Sequence, residues 1–446
     1  MNKWKPTLPG LALAVSAIVM ANGAHAQNAS DPFANDRILT PQHRALELQA
    51  LKILQTPVGR SAYELGGRYL RNYAGASGQD AVFDLALKKT ALCVGLMAAN
   101  ADTNHPKIYG QAIPAHRIGK VDIPESSCGI SNPDTIYRFI PVDGASHYVI
   151  TGHVAKNQPI ENNFTLASFN LTTITNLNGR DLKVEPDGSF RITIDPEPAN
   201  GRPNHLQSRH DAFQMWIRDT LGDWSKEKPN RLSVERVDPK ALPPVDENGQ
   251  IAMLARYMAY QIFAMPADPL NGPVNIWKNP QILGGAAGAG GFLVTQAYSN
   301  GRFDLKDDEA LLVNLKLGFA GYAVVPVTNV WGSNDGVGGR LTGALNNFQA
   351  ERNGDGSYSF VVSKQDPGVR NWIDTGGLNQ GLLYMRWAAF PKGDLSGKEA
   401  PSVTTRIVKV GEVGGLLPTA QRVDSTARQA LVKQRAEGYL RRQQDE

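Results

Sequence analysis

Hydrophobic and polar positions divide this chain into stretches of different period. The first is apolar throughout: after Met1-Asn2-Lys3-Trp4-Lys5 comes a run from Leu11 to Ala21, followed by Ala24-His25-Ala26. A basic start, an apolar stretch shorter than the ~20 residues that cross a bilayer, and small residues before Gln27 make the pattern of a cleavable secretory signal. Cleavage is expected after Ala26, giving an exported, periplasmic or secreted protein.

From Pro41 to Ala101 the period is helical. Ala45, Leu46, Leu48, Leu51 and Leu54 recur mostly at three and four residues, Val82, Leu85, Ala86, Leu92 and Leu96 repeat the theme, and Gly75-Ala76-Ser77-Gly78 interrupts them. Two amphipathic helices are predicted. After about Asn104 the period shortens, with runs at 137–142, 148–153 and 190–194 rich in β-branched and aromatic residues and bounded by Asp143-Gly144 and Asp187-Gly188. These predict antiparallel strands. The apolar stripe Met253, Leu254, Tyr257, Met258, Ile262 and Phe263 predicts a helix over 251–264, ended by Pro266. Beyond Ala400 a short β tail leads to a polar helix over 425–442. The glycine-rich run 284–291 lacks the Lys-Ser/Thr of a phosphate loop and reads as a connector.

Laid on itself at an offset of 168, the chain matches in order. Leu177-Asn178 meets Leu345-Asn346, Asp187-Gly188-Ser189-Phe190 meets Asp355-Gly356-Ser357-Tyr358, and Trp216-Ile217-Arg218 meets Tyr384-Met385-Arg386. Asn204-His205 falls on Asn371-Trp372 after a slip of one residue. The expectation is a mainly β protein with two related β-sandwich or jelly-roll units, N-terminal helices and a C-terminal helix. Its expected divisions are a signal over 1–26, a helical segment over 27–104, a first sandwich over 105–245, a helical and glycine-rich connector over 246–300, a second unit over 301–400, and a tail with the helix over 401–446.

Composition agrees with many short strands: 44 glycines and 28 prolines mark frequent turns. The formal charge of +4 falls to +2 once the two signal lysines are removed, and the cations are interspersed with acids, so nucleic acid is not an expected partner. No second segment is apolar enough to span a membrane. Cys93 and Cys128, the only cysteines, form a candidate disulfide in an oxidising compartment.

Residues 132–137, Asn-Pro-Asp-Thr-Ile-Tyr, and above all the run 303–387 carry a resemblance. The latter includes Asp308-Glu309-Ala310, Trp331, Leu345-Asn346, Gln349, Asp355-Gly356-Ser357, Asp366-Pro367-Gly368-Val369, Asn371-Trp372-Ile373-Asp374-Thr375 and Arg386-Trp387. These residues resemble the uncharacterised bacterial family of domain of unknown function 1214, with its related 1254 domain. The resemblance implies a jelly-roll-like C-terminal β domain beside a second sandwich. It implies no reaction. His205 departs from the family pattern, standing where a tryptophan follows asparagine in the second copy.

Candidate chemistry falls into two groups. His205, His210 and Asp211 join imidazoles to a carboxylate, a set suited to acid–base work, and Asp366 with Asp374 forms a carboxylate pair for hydrolysis. Trp331, Arg340, Asn346, Asn371, Trp372 and Arg386 mix aromatic faces with polar groups in the manner of a sugar or hydroxylated-ligand cleft. Arg218 and Arg386 are equally suited to pairing with a buried acid in their own copies, and His147 and His153 lie too far apart along a strand to share an ion. No metal site is expected and no cofactor is indicated. The functional expectation is a periplasmic protein binding a small polar or carbohydrate-like ligand in a β-domain cleft. A hydrolase or lyase using carboxylates or the histidine cluster, and an envelope assembly protein forming homo-oligomers, are the alternatives.

Overall fold

The computed structural model describes residues 37–74, 80–238, 243–264, 278, 280, 292–333, 343–391, 399–418, 421–442 and 444. The signal expected over 1–26, the Gly75–Gly78 break, the glycine-rich run and Arg340 lie outside the described residues.

Three helices open the chain where two were expected: α1 (Pro41–Leu54), α2 (Pro57–Ala74) and α3 (Asp80–Ala99). The extra break is at Thr56-Pro57. Proline cannot donate into a preceding turn, and the Thr56 hydroxyl accepts from Gly59 N at 3.1 Å to start α2. α3 is buried along most of its C-terminal half, which hides the one-faced period of a surface helix. It packs with α1 and with α4 (Glu247–Ala264) into an apolar layer that includes Ala50, Ile53, Leu92, Leu96, Leu254 and Met258. α4 is therefore part of the N-terminal helical layer rather than a mere connector.

The first sandwich follows β1 (Tyr109–Gln111) and a small ribbon of β2 (His116–Ile118) and β3 (Val121–Ile123). Its strands are β4 (Thr135–Pro141), β5 (Tyr148–His153), β6 (Glu161–Ser168), β7 (Thr173–Asn178), β8 (Ser189–Asp195), β9 (His205–Gln207), β10 (Ala212–Thr220) and β11 (Arg231–Arg236). They form sheets ordered β1-β4-β10-β6-β7 and β11-β5-β8-β9. Ile140, Phe164, Leu166, Ile192, Ile194, Met215 and Ile217 fill the space between.

The second sandwich comprises β12 (Ala297–Asp304), β13 (Glu309–Lys316), β14 (Tyr322–Thr328), β15 (Ala344–Asn346), β16 (Tyr358–Ser363), β17 (Trp372–Asp374), β18 (Gln380–Ala388) and β19 (Ser402–Lys409). Its sheets run β12-β18-β14-β15 and β17-β16-β13-β19. Apart from β1, this is the order of the first sandwich, strand for strand, and both units contain one parallel pair, β8 with β9 and β16 with β17. β19 pairs along the whole of β13, so the second unit extends past the boundary expected at 400 and begins with β12, before 301.

The repeated turns sit in equivalent places. Gly188 and Gly356, at φ +86° and +85°, precede β8 and β16, and Asp187 and Asp355 each accept from the main-chain N–H of the following serine, at 2.9 and 3.0 Å. That left-handed backbone is open to glycine at little cost. A second repeated device is an asparagine clamp. Asn204 accepts from Lys183 N and donates to Lys183 O, while Asn371 does the same with Glu351 N and O.

A C-terminal helix, α5 (Ser425–Arg441), is capped by Asp424 accepting from Ala427 N at 2.8 Å. Cys93 of α3 is bonded to Cys128, tying the helical layer to the segment that enters β4. Glu47 of α1 is buried with the Nε2 atoms of His43 and His116 at 3.1 and 3.0 Å from its oxygens. Burial pushes this carboxyl up, but the two imidazoles outweigh it and hold Glu47 below its ordinary value.

Two outcomes follow. Replacing both cysteines by serine reopens a loop of 35 residues and should cost about 3–4 kcal/mol in urea unfolding; an unchanged midpoint would show that packing alone secures α3. A carboxyl depressed on folding contributes stability that is complete above its unfolded value of 4.5 and lost as pH falls through the folded one. Glu47→Gln should therefore cost about 2 kcal/mol at neutral pH, and the gap to wild type should close on acidification. A gap that stays constant would contradict this assignment.

Candidate functional site

Strand alternation decides which side chains leave the two cores. On β10, Met215 and Ile217 enter the core, so Trp216 and Arg218 project from the other face of the sheet. Arg218 is in register with Tyr137 on β4 and Asn163 on β6, and Asn163 with Asn178 on β7. On β18, Met385 and Trp387 enter the second core, and Arg386 is in register with Tyr298 on β12 and Val324 on β14, which pairs with Asn346 on β15. The two outer faces thus carry the equivalent rows Tyr-Arg-Asn-Asn and Tyr-Arg-Val-Asn. Each tyrosine hydroxyl also accepts from a main-chain N–H five residues upstream, Asn132 N to Tyr137 at 2.9 Å and Leu293 N to Tyr298 at 3.0 Å.

These faces meet. Arg386 donates to Ile130 O at 2.7 Å and to Tyr384 O at 3.1 Å. Tyr322 of β14 donates to Asp134 at 2.6 Å and accepts from Asn132 Nδ2 at 2.9 Å. Gln296 donates to Glu161 at 2.7 Å, and Thr295 to Asn163 Oδ1 at 3.2 Å. Helices cover the neighbouring part of the first sheet, where Phe139 and Trp216 stack edge to face.

The electrostatics of this junction are unusual for a protein interior. Arg218 and Arg386 are 7% and 6% exposed. Burial pulls Arg218 below the ordinary guanidinium value; Tyr137, Tyr298 and Glu161 oppose the shift, while Arg386 adds to it. Among the described residues no carboxylate lies within ion-pair distance of Arg386, whose hydrogen bonds run to main-chain carbonyls. Burial raises the Glu161 and Asp134 carboxyls, weakening their capacity to act as counter-charges, and pushes Tyr298 up to about 12. Asn163, 1% exposed, accepts through Oδ1 from Asn176, Asn178 and Thr295, and its Nδ2 has no partner among the described residues. Trp331 Nε1 is likewise buried without a partner. Guanidinium and amide donors of this kind suit a carboxylate or another oxyanion.

The residues expected from the sequence scatter. His205 is held by Thr193 Oγ1 at 2.9 Å and Glu197 O at 2.8 Å, His210 is exposed, and Asp211 is taken by Arg209. They form no acid–base group. Asp366 is bound by Arg428 of α5 and Asp374 caps a turn at Gly376 N. Asn371 is the clamp already described. Asn346 caps the turn at Phe348 and donates across to Gly222 O at 3.0 Å, and Trp372 donates to Ser363. Trp331 stacks edge to face on Phe83, its ring centroid 4.7 Å away. Of the described candidates, Arg386 and Asn346 share the row that faces the charged junction. The expectation that Arg386 pairs with an acid of its own copy is overturned; among the described residues a buried arginine–acid pair is instead Arg138 with Asp219, at 2.6 Å.

Arg218, Tyr137, Tyr298 and Asn163 were not singled out as ligand residues. The signal was present for Arg218: it shares its outward parity with Trp216, and an arginine recurs at the same step of the second copy.

A donor set suited to a metal does exist. His147, Asp195 and Glu197 offer ligand atoms within 4.8 Å of one another. Arg202, however, holds both Asp195 oxygens at 2.7 and 2.9 Å, and His147 is bonded to Asp238 and Glu197. Ion pairing already satisfies these groups.

Residues 141–219 match the family described as protein of unknown function, DUF1214. The resemblance noted from the sequence is borne out, but on the first sandwich rather than on 303–387. The DUF1214 segment runs from the end of β4 into β10 and contains Asn163 and Arg218. Among solved structures, an uncharacterized protein from Burkholderia cenocepacia is similar over 81% of this chain and 99% of its own, with a TM-score of 0.65 and 21% identity, a likeness of fold alone. The VPA0106 protein from Vibrio parahaemolyticus is similar over 62% of this chain and 90% of its own, with a TM-score of 0.38 and 11% identity. No curated protein matches the sequence. Among the described residues no helix is long and apolar enough to cross a membrane.

Two like charges in one buried junction should couple. In a double-mutant cycle, Arg218→Met and Arg386→Met together should be less stabilising, or more destabilising, than the sum of the single changes, by about 1 kcal/mol. Strict additivity in thermal unfolding would mean that the guanidiniums do not sense one another.

Proposed function

We propose that this is an exported protein that binds a small polar ligand bearing an anionic group, of the carboxylate or acidic-sugar class, between its two sandwiches. The observation that carries the reading is Arg386, buried beside Arg218 and without a carboxylate partner among the described residues. A buried guanidinium lacking a counter-charge is costly, and a ligand oxyanion is the group that relieves that cost. Asn163 Nδ2 has no partner among the described residues, and the secretory signal expected over 1–26 agrees with a role in capturing compounds outside the cytoplasm. We attribute the paired architecture to an internal duplication, supported by the shared strand order and the equivalent Tyr137–Arg218 and Tyr298–Arg386 pairs.

The test is a thermal-shift and calorimetric screen of mono- and dicarboxylates and acidic sugars, with neutral sugars as controls. Saturable binding of an anion that weakens with salt and falls at least about tenfold in Arg386→Met is expected. A flat response across the anions, or affinity indifferent to Arg386→Met, would sink the reading. Fractionation of the producing cell should find the shortened chain outside the cytoplasm.

A hydrolase or lyase reading has one observation in its favour. Glu161 acts electrostatically on Arg218 and has its carboxyl raised by burial, the state a general acid requires. If a turned-over substrate is found, Glu161→Gln should abolish turnover while leaving ligand affinity nearly unchanged.

A further inference from the structure

A separate cavity of about 350 Å³ lies where α5 crosses the two sandwiches. It is lined by Trp224 and Lys226 from the loop after β10, by Phe348 and Trp372 of the second sandwich, and by Arg428 and Arg435 of α5. Its volume is of the size that accepts small organic ligands, roughly 300 Å³ and upward.

Three features indicate the chemistry of its occupant. Aromatic surface is available: Phe348 is 46% exposed, a large apolar side chain left in water at the edge of a concavity. A buried donor is unsatisfied: Trp224 is 4% exposed and its Nε1 has no hydrogen-bond partner among the described residues. Such an N–H costs free energy until it meets an acceptor. The lining is also cationic, with Arg370 joining Lys226, Arg428 and Arg435 against the single carboxylate of Asp223.

These cations differ in availability. Arg428 and Arg435 lie over the rings of Trp372 and Trp224, at 5.0 and 4.7 Å from the centroids, and Arg428 is committed to Asp366. Lys226 and Arg370 instead make exposed pairs with Asp223 at 3.1 Å and Glu351 at 3.4 Å, pairs worth little in water and easily exchanged. An incoming anion therefore finds two mobile cations at the mouth and an aromatic wall behind them.

We infer that this cavity is a second ligand site, one that takes a small aryl carboxylate. The ring lies against Phe348 and the tryptophan edges, and the carboxylate exchanges into the Lys226 and Arg370 pairs. The site shares none of these residues with the junction of Arg218 and Arg386, so either can fail without the other.

Calorimetric titration of the purified chain with 2-naphthoate tests it, with 2-naphthalenemethanol as the neutral counterpart. Saturable naphthoate binding is expected, reduced at least about tenfold in Phe348→Ala and again in a Lys226→Ala, Arg370→Ala double variant. All these side chains are substantially exposed, so the variants should melt with wild type. Arg386→Met should keep the Phe348-dependent part of naphthoate binding. The inference is overturned if naphthoate shows no saturable binding at millimolar concentration, if the neutral alcohol binds equally well, or if binding ignores Phe348→Ala yet is lost in Arg386→Met.

Discussion

The constraint around which this molecule is organised is the removal of two guanidinium groups from water at the junction of two sheets. Arginine keeps its charge in a protein interior, so Arg218 and Arg386 must be accommodated by their surroundings rather than neutralised. Tyr137 and Tyr298 lie beside them in register, Ile130 and Tyr384 turn carbonyls towards Arg386, and Asn132 and Asp134 fasten Tyr322 across the junction. A polar interface of this kind brings the two sandwiches together in one arrangement, because sliding one sheet over the other would strand each of these groups.

The strand order that the two units share accounts for the form of this junction. Both units place a hydrophobic core inside and an arginine on the outer face of the central strand, so stacking the outer faces brings the two charges together. Helices screen the rest of the first sheet, with Tyr109 and Phe139 packed beneath them. The two rows are not equal, however. Where the first row carries Asn163 the second carries Val324, and Val324 packs with Tyr322, Ala344 and Ala388 against Ile160. The donor-rich side of the junction therefore belongs to the first sandwich, within the segment that matches DUF1214.

Much of the fold was legible because it rests on short-range chemistry. The strand at 148–153 and the helix at 425–441 follow their periodicity, and the two Asp-Gly-Ser turns fall where only a left-handed glycine suits the backbone. The candidate site was far less legible. Asn346, Asn371 and Asp366 look like ligand groups in a list of polar residues, yet each closes a turn, clamps a strand or holds α5. A side-chain amide or carboxylate serves a backbone N–H as readily as a ligand, and composition does not distinguish the two.

What the sequence determined by itself was the set of β units, their order along the chain, and the recurrence of an arginine at the same step in each. These depend on alternation and on turn geometry, which act over a few residues. Tertiary structure alone decided that the two outer faces meet, that β19 completes the second sandwich, and that Arg386 faces Arg218 rather than an acid of its own copy. Those outcomes join residues more than eighty positions apart, and pairing at that range is set by which buried charges and hydrogen bonds can be satisfied together.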